Sequence, residues 1–219
     1  MIPEQLLEIY RLLFDRFGPQ HWWPGETQFE IIIGAILTQN TNWSNVKKAI
    51  TNLKNANCLT PEKLYHLDIS QLAELIRPAG YYNVKTKRLK NFLDWFFNNY
   101  NGQLENLDKI STDRLRAELL AVKGIGPETA DSILLYAFNR PIFVVDTYTA
   151  RVTVRHHLIE PDADYEQLQY LFQSNLSEDV RLFNEYHALF VHLGKDFCKP
   201  KARCAGCPLE NIPHSLDVE

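Results

Sequence analysis

The stretch from Leu119 to Val152 constrains the fold most, because it places two glycines between segments of helical pattern. Gly124 and Gly126 are two residues apart, and Pro127 follows directly. Such glycines suit a tight turn between helices, where the backbone needs a positive φ or comes close to a ligand. Pro127 fits the first position of the next helix. The pattern therefore predicts helix, glycine turn, helix, and the N–H groups that begin the second helix form a ready anion site.

An apolar run after the second helix leads to one acid, Asp146, which is placed as the N-cap of the helix that follows. A second acid, Glu128, lies in the first turn after the glycines, where a negative charge favours the helix dipole. Both acids thus have an ordinary structural role. A Gly-x-Gly turn can likewise serve only to link two core helices. Whether these residues act in catalysis or in ligand binding depends on the other residues that the chain places near them.

Apolar residues recur at helical spacing along nearly the whole chain, and no segment shows the alternation of a half-buried strand. The pattern predicts an all-α protein. With 45% hydrophobic residues in 219, there is ample material for a core. We expect residues 28–135 to form one helical lobe and residues 1–27 with 136–219 to form the second. Gly194 is expected to end the last long helix.

The net charge of −4 argues weakly against non-specific binding of nucleic acid, because DNA-binding domains are usually basic. Local patches would have to supply the positive charge. The candidates are Lys85, Lys87, Arg88 and Lys90, then Lys123, and finally Lys195, Lys199, Lys201 and Arg203. We expect the first group to point outward from a helix that turns Val84 inward. With no long apolar run and no signal-peptide pattern, we expect a soluble cytoplasmic protein without a membrane partner.

Four cysteines in such a chain favour metal binding or free thiols over disulfides. Three of them, Cys198, Cys204 and Cys207, crowd into the C-terminal region beside basic residues. This spacing favours a metal over free thiols. Cys58 lies far away in sequence and is expected to be a small buried apolar residue.

The glycine turn, Lys123 before it and Asp146 after it resemble the helix-hairpin-helix DNA glycosylases, the superfamily of endonuclease III. The resemblance spans nearly the whole chain. It implies a two-lobed all-α fold in which Lys123 and the amides of Gly124, Ile125 and Gly126 hold a DNA phosphate. Gln39 matches a glutamine that fills the gap left by an extruded base. The implied partner is double-stranded DNA with a damaged base, bound by a monomer.

The segment Trp22-Trp23-Pro24, the later aromatic Trp43 and the Gly-Ile-Gly-x-Glu turn resemble the small endonuclease III-like 3-methyladenine DNA glycosylases. Tryptophans are mostly packing residues, but in that group these positions form the base pocket. Aromatic faces attract an electron-poor alkylated purine by stacking and cation–π interaction, worth up to about 2 kcal/mol when desolvated. The positive charge of such a base also weakens its glycosidic bond, so no strong general acid is required.

Bifunctional members of the superfamily carry a lysine at the position of Glu128, and that amine forms a Schiff base, which a carboxylate cannot do. Lys123 lies on the other side of the turn. The resemblance therefore implies a monofunctional base-excision-repair glycosylase in which Asp146 stabilises an oxocarbenium ion or orients water. Glu128 is a second candidate catalytic residue. The alternatives are an endonuclease III-type glycosylase for oxidised pyrimidines or mismatched bases, and a non-catalytic DNA-binding protein.

The C-terminal cysteines resemble the iron–sulfur loop that ends many of these enzymes and that uses four cysteines. In this chain the fourth place is Pro213, followed by His214. Because the fourth cysteine is missing, three alternatives remain for this loop. It could hold a 4Fe-4S cluster with His214 or an external molecule as the fourth ligand, it could hold a zinc ion through Cys198, Cys204, Cys207 and His214, or it could bind no metal.

Overall fold

The computed structural model describes residues 1–216, and within them it contains twelve α-helices and no strand. The predicted all-α class is confirmed. The helices are α1 (Ile2–Phe17), α2 (Gln28–Thr38), α3 (Trp43–Asn55), α4 (Pro61–His66), α5 (Ile69–Leu75), α6 (Tyr82–Tyr100), α7 (Leu104–Asp108), α8 (Thr112–Ala121), α9 (Pro127–Ser132), α10 (Thr147–Arg155), α11 (Tyr165–Gln173) and α12 (Val180–Asp196). A 3₁₀ turn covers Arg77–Ala79, and a π-helical turn, Ile133–Ala137, continues α9. In the described part of the chain, no helix is both long and apolar enough to cross a membrane.

The chain forms two compact units. The first contains Met1–Trp23 and the chain from Pro141 onward, and the second is Pro24–Arg140. Each has its own buried apolar residues, as expected when amphipathic helices cover one core.

The core of the first unit is aromatic and lies around α12. The rings of Phe143 and Phe172 stack with their centroids 3.9 Å apart, and the ring of Tyr186 meets both edge-on. Burial raises the pKa of the Tyr186 hydroxyl well above its usual value, and the hydroxyl donates to the carbonyl of Leu6 over 2.7 Å. Since α12 packs on both α1 and α10, this core fixes α12 against the helix that Asp146 caps.

The core of the second unit is built around α2. Ile32, Ile33, Ile36 and Leu37 have no exposed surface, because α2 packs on α3, α6, α9 and the π-helical turn. Thr27 caps its first turn by accepting from the amide of Glu30. An apolar segment that is covered on all sides forms a buried helix without the usual polar face.

The outward orientation predicted for the first basic group is wrong for Lys85, and Val84 is not inward. Lys85 is 1% exposed, and its ammonium donates to the carbonyls of Leu37 and Ala79 over 2.8 and 2.7 Å. Burial, and next the nearby charge of Arg88, lower the pKa of Lys85 to about 8. Val84 is instead 47% exposed. The ammonium is turned inward because the carbonyls that end two neighbouring segments need a donor.

Lys90 of the same group is also turned toward protein atoms, where it donates to the carbonyls of Leu64, Tyr65 and Leu67. Gly194 does not end α12, which continues to Asp196. A Cβ at Gly194 would lie 2.1 Å from Cδ1 of Tyr148, so the glycine is needed for close packing of the Tyr148 ring rather than for a turn. Cys58 is partly exposed rather than buried, and its thiol donates to the carbonyl of Ala56.

Candidate active site

The predicted hairpin is present between α8 and α9. Gly124 has φ +100°, in the region that glycine alone adopts easily, whereas Gly126 is extended and caps α9 with φ −101°. The side chain of Ile125 is 5% exposed and anchors the turn, while Lys123, Gly124 and Gly126 are exposed. The turn therefore presents its backbone to solvent at the start of α9, as a phosphate-binding hairpin requires.

A buried ion pair connects the two helices of the hairpin. Arg116 of α8 donates to both oxygens of the Asp131 carboxylate in α9, over 2.7 and 3.0 Å. Asp131 has no exposed surface. A two-pronged contact of this kind sets the orientation of both partners, so it holds the angle between the helices and with it the shape of the turn.

Gln39 lies against the hairpin in this structure. Its Nε2 donates to the carbonyl of Gly124 over 3.0 Å and to the hydroxyl of Thr129 over 2.9 Å. Its Oε1 accepts from Nη1 of Arg88. The methylenes of Arg88 cover Gly124, where a Cβ would lie 2.5 Å from Cγ of Arg88. The sequence places Arg88 only within a basic cluster, whereas in the structure it contacts both Gln39 and the predicted phosphate-binding turn.

Asp146 uses its two carboxylate oxygens differently. Oδ1 accepts from the amide of Thr149 over 2.7 Å and from its hydroxyl over 3.0 Å, so Asp146 is the N-cap of α10. Oδ2 lies 3.5 Å from Nε2 of His187 on α12. Both side chains are nearly buried, with 11% of Asp146 and 6% of His187 exposed. The sequence pattern contains no signal for His187.

The pKa of Asp146 results from opposed effects. Burial acts to raise it, but the nearby imidazole of His187 and the hydrogen bonds from Thr149 outweigh burial, so the pKa lies below its usual value. Asp146 is therefore ionised at neutral pH. A lowered folded pKa stabilises the protein at pH values above the unfolded pKa, and this stabilisation is lost as the pH falls through the folded pKa.

The tryptophan pair lies in the first unit. The rings of Trp22 and Trp23 are nearly perpendicular, with an interplanar angle of 80° and centroids 5.5 Å apart. The ammonium of Lys195 is 5.9 Å from the Trp22 ring. Both tryptophans are partly exposed. The pair thus offers aromatic surface beside a positive charge.

The remaining predicted site residues belong to the second unit. Trp43 is the first residue of α3, after the N-cap Asn42, and is partly exposed. Glu128 is exposed in the first turn of α9, and Pro24 is exposed at the start of the unit. Of these residues, the structure brings Gln39 to the hairpin of the same unit.

The cysteine-rich loop after α12 is closed by Arg155, which is 3% exposed. Its guanidinium donates to the carbonyls of Lys199 and Pro200 over 2.7 and 2.8 Å and lies 3.4 Å from the sulfur of Cys198. The amide of Ser215 donates to the carbonyl of Arg155 over 2.9 Å. One arginine therefore ties both ends of the loop to α10.

The predicted metal ligands do not form a ligand set in this arrangement. Cys198, Cys204, Cys207 and His214 all line one cavity next to Arg155. His214 directs Nδ1 to the carbonyl of Ile212 over 2.8 Å. Among residues 1–216, no three His, Cys, Asp or Glu side chains are placed to hold one metal ion. The donors as placed therefore do not fit a cluster or a zinc ion.

The hairpin and the helical fold define a class, the helix-hairpin-helix proteins of DNA repair. Residues 33–178 match the HhH-GPD superfamily of base excision DNA repair proteins, and the chain belongs to that superfamily. The superfamily predicted from the sequence is confirmed, and with it the general activity of a DNA glycosylase.

Three relatives illustrate the range of similarity. A protein of Methanocaldococcus jannaschii that carries the name of a DNA repair glycosylase is 49% identical over 211 residues, which cover 95% of this chain and 96% of that protein. Endonuclease III of Sulfolobus acidocaldarius is 31% identical over 185 residues, covering 84% and 80%. The crystal structure of the H. pylori 3-methyladenine DNA glycosylase MagIII bound to 1,N6-ethenoadenine superimposes with a TM-score of 0.73 at 32% identity, covering 89% and 97%.

Proposed function

We propose that this protein is a monofunctional DNA N-glycosylase that hydrolyses the glycosidic bond of an alkylated base, 3-methyladenine foremost. The observation that carries the proposal is the carboxylate of Asp146. It is ionised, nearly buried, and held by one oxygen as a helix cap, so that its charge has a fixed position. A fixed negative charge in a poorly solvated place is suited to stabilise positive charge that develops during a reaction.

In the proposed reaction, the bond between C1′ and the base nitrogen breaks, and its electron pair leaves with the base. The sugar becomes an oxocarbenium ion, which the Asp146 carboxylate stabilises. Water then adds to C1′ and loses a proton. A base with a methyl group on a ring nitrogen already carries positive charge and departs as a neutral molecule, so this site needs no strong acid. Asp146, being ionised, could not act as that acid.

DNA binding is proposed for the hairpin, with the backbone at Gly124, Ile125 and Gly126 holding one phosphate and Lys123 adding charge. The exposed backbone of the turn and its two-pronged brace by Arg116 and Asp131 support this role. Gln39 is proposed to fill the gap in the base stack. To do so it would leave its hydrogen bonds to the carbonyl of Gly124 and the hydroxyl of Thr129.

Recognition of the base is proposed for Trp22, Trp23, Pro24 and Trp43. The perpendicular indole rings offer faces for stacking, and a desolvated aromatic face attracts an electron-poor ring. Similarity to MagIII at 32% identity supports the choice of an alkylated purine. Glu128 is proposed as a second catalytic residue.

The absence of lyase chemistry is proposed because residue 128 is a glutamate, which cannot form a Schiff base with the sugar. The second candidate is an endonuclease III-type activity on oxidised pyrimidines or mismatched bases. Identity of 31% to endonuclease III of Sulfolobus acidocaldarius over most of both chains favours it. The two candidates differ in substrate and in covalent chemistry, and both differences are measurable.

Base release from duplex DNA carrying 3-methyladenine, thymine glycol or a G·T mismatch tests the proposal. We expect free 3-methyladenine and an intact sugar-phosphate strand, because water rather than an amine attacks C1′. Borohydride added during the reaction should trap no protein on the DNA. The measurements are chromatography of the released base and denaturing electrophoresis of strand and protein.

Release of thymine glycol together with a borohydride adduct would replace the proposal with the endonuclease III-type activity. Binding of the damaged duplex without release of any base would instead favour a non-catalytic DNA-binding protein. In that case substitution of Trp22 or Trp43 should change stability alone. Endonuclease III assayed on the same thymine glycol duplex provides the positive control for trapping.

The cysteine loop provides a separate prediction, since its sequence favours a metal and its donor geometry does not. We expect protein purified without oxygen to contain less than one iron or zinc per chain, and a chelator to leave its unfolding temperature unchanged. Arg155→Met should lower the free energy of unfolding by about 1–3 kcal/mol, because buried carbonyls lose a charged donor. Metal analysis, the visible absorption spectrum and thermal unfolding are the measurements. A stoichiometric metal whose removal unfolds the loop would contradict this expectation.

A further inference from the structure

The two oxygens of the Asp146 carboxylate have separate partners, and only one partner follows from helix capping. Oδ1 is committed to the amide and hydroxyl of Thr149, three residues later. Oδ2 is turned to His187, which comes from α12, a different helix. A helix cap by itself requires only the first set of contacts.

We propose that His187 is a positioning residue for Asp146: it holds Oδ2 in one orientation and keeps the carboxylate charged while DNA covers the site. The inference rests on the proposed function of Asp146. His187 acts through Asp146 and is assigned no contact with the base or the sugar.

The physical need for such a partner follows from burial. A carboxylate that is taken out of water tends to gain a proton unless an opposite charge or hydrogen-bond donors compensate. Thr149 supplies neutral donors to Oδ1 alone, so His187 supplies the interaction at Oδ2. Imidazole suits this role because it can donate a hydrogen bond when neutral or when charged. A carboxylate held at both oxygens also keeps its charge at a fixed place, which matters for stabilising a transition state.

Other titratable and charged groups lie on the elements around this pair. They contact different partners. On α1 and α10, Tyr10 contacts Tyr186, Arg151 donates to the carbonyl of Cys198, Arg155 closes the cysteine loop, and Tyr148 packs on Gly194. On α11 and α12, the hydroxyl of Tyr165 accepts from the amide of Val145, Glu185 accepts from the amide of Gln20, Lys195 faces Trp22, and His192 pairs with Asp196. The contact between His187 and Asp146 is therefore the one to vary when the titration of Asp146 is tested.

The experiment is the single-turnover rate of 3-methyladenine release as a function of pH, from about pH 4 to about pH 9, for wild type and His187→Gln. A group with a lowered pKa loses its charge as the pH falls through that value, so activity that needs the charge declines on the acid side. Removing His187 raises that pKa. We expect wild type to stay on its plateau down to about pH 4 and the acid limb of the variant to move up by about one pH unit or more, into the measured range. We expect its rate on the plateau to fall between about tenfold and a hundredfold.

Affinity for the damaged duplex should stay the same in His187→Gln, since the residue acts on the chemical step. His192→Gln is the matched control, because His192 is also on α12 and also faces a carboxylate, Asp196, at 3.3 Å. It should leave the acid limb in place. If His187→Gln folds poorly, the smaller substitution His187→Asn replaces it as the test of His187. Circular dichroism establishes folding for each variant.

Asp146→Asn in the same assay separates the two proposals. If Asp146→Asn loses excision while His187→Gln keeps the wild-type rate and acid limb, the positioning role of His187 is overturned and the proposed function stands. If Asp146→Asn excises at the wild-type rate, the catalytic role of Asp146 is wrong and the role of His187 falls with it. A shifted acid limb in both glutamine and asparagine variants of His187 supports the proposal.

Discussion

Asp146→Asn is expected to lower the rate of base excision by about 10²–10³-fold, the range seen when one preorganised electrostatic contact to a transition state is removed. The substitution removes the negative charge and little else. Asparagine caps helices about as well as aspartate, because its side-chain oxygen can still accept from the amide of Thr149. The amide NH₂ would then point toward His187, where Oδ2 of Asp146 now lies. Single-turnover release of 3-methyladenine at neutral pH measures the effect.

Asp164→Asn is the matched control for this change. Asp164 caps α11 in the same unit by accepting from the amide of Gln167 over 2.8 Å, and it is exposed. It undergoes the same chemical change without a proposed role in catalysis, so the excision rate should stay at the wild-type value. Binding of the damaged duplex should be retained in both variants. Full activity of Asp146→Asn would reduce Asp146 to a helix cap and remove the basis of the proposed mechanism.

The parts of the site that sequence could predict are those in which local chemistry determines structure. Gly124 has the positive φ expected of a glycine turn, and Pro127 begins α9. Asp146 caps α10, as predicted for an acid that stands between an apolar run and a helical pattern. All three depend on neighbours within a few residues. This is why they were predictable without knowledge of tertiary packing.

The remaining features depend on contacts between distant segments. His187 reaches Asp146 because α12 packs on α10, and no spacing in the sequence indicates that pairing. Lys85 has the residue type of a surface position and yet is buried, since it satisfies the carbonyls of Leu37 and Ala79. Gly194 has the residue type of a helix end, but its hydrogen atom makes room for the ring of Tyr148. In each case a long-range partner overrides the local preference.

Gly124→Ala is expected to weaken binding of duplex DNA by between about tenfold and a hundredfold. That range corresponds to loss of one hydrogen bond to a charged group, about 1.5–3 kcal/mol. Alanine is strained at φ +100°, and its Cβ would lie 2.5 Å from Cγ of Arg88. Either the turn or Arg88 must move. Movement of Arg88 also disturbs its hydrogen bond to Gln39, so the proposed phosphate contact and the position of Gln39 change together.

Gly102→Ala separates this effect from general destabilisation. Gly102 belongs to the same unit, has φ +69°, and a Cβ there would lie 2.6 Å from Cζ of Phe97. Both variants should therefore lower the free energy of unfolding, by about 1–3 kcal/mol for the backbone strain. Only Gly124→Ala should lose affinity in a fluorescence anisotropy titration at fixed salt, where the salt concentration must match because it sets the phosphate contribution. Equal affinities for the two variants would mean that the backbone of this turn does not hold a phosphate, and the grip on DNA would then have to be sought at the basic residues elsewhere in the chain.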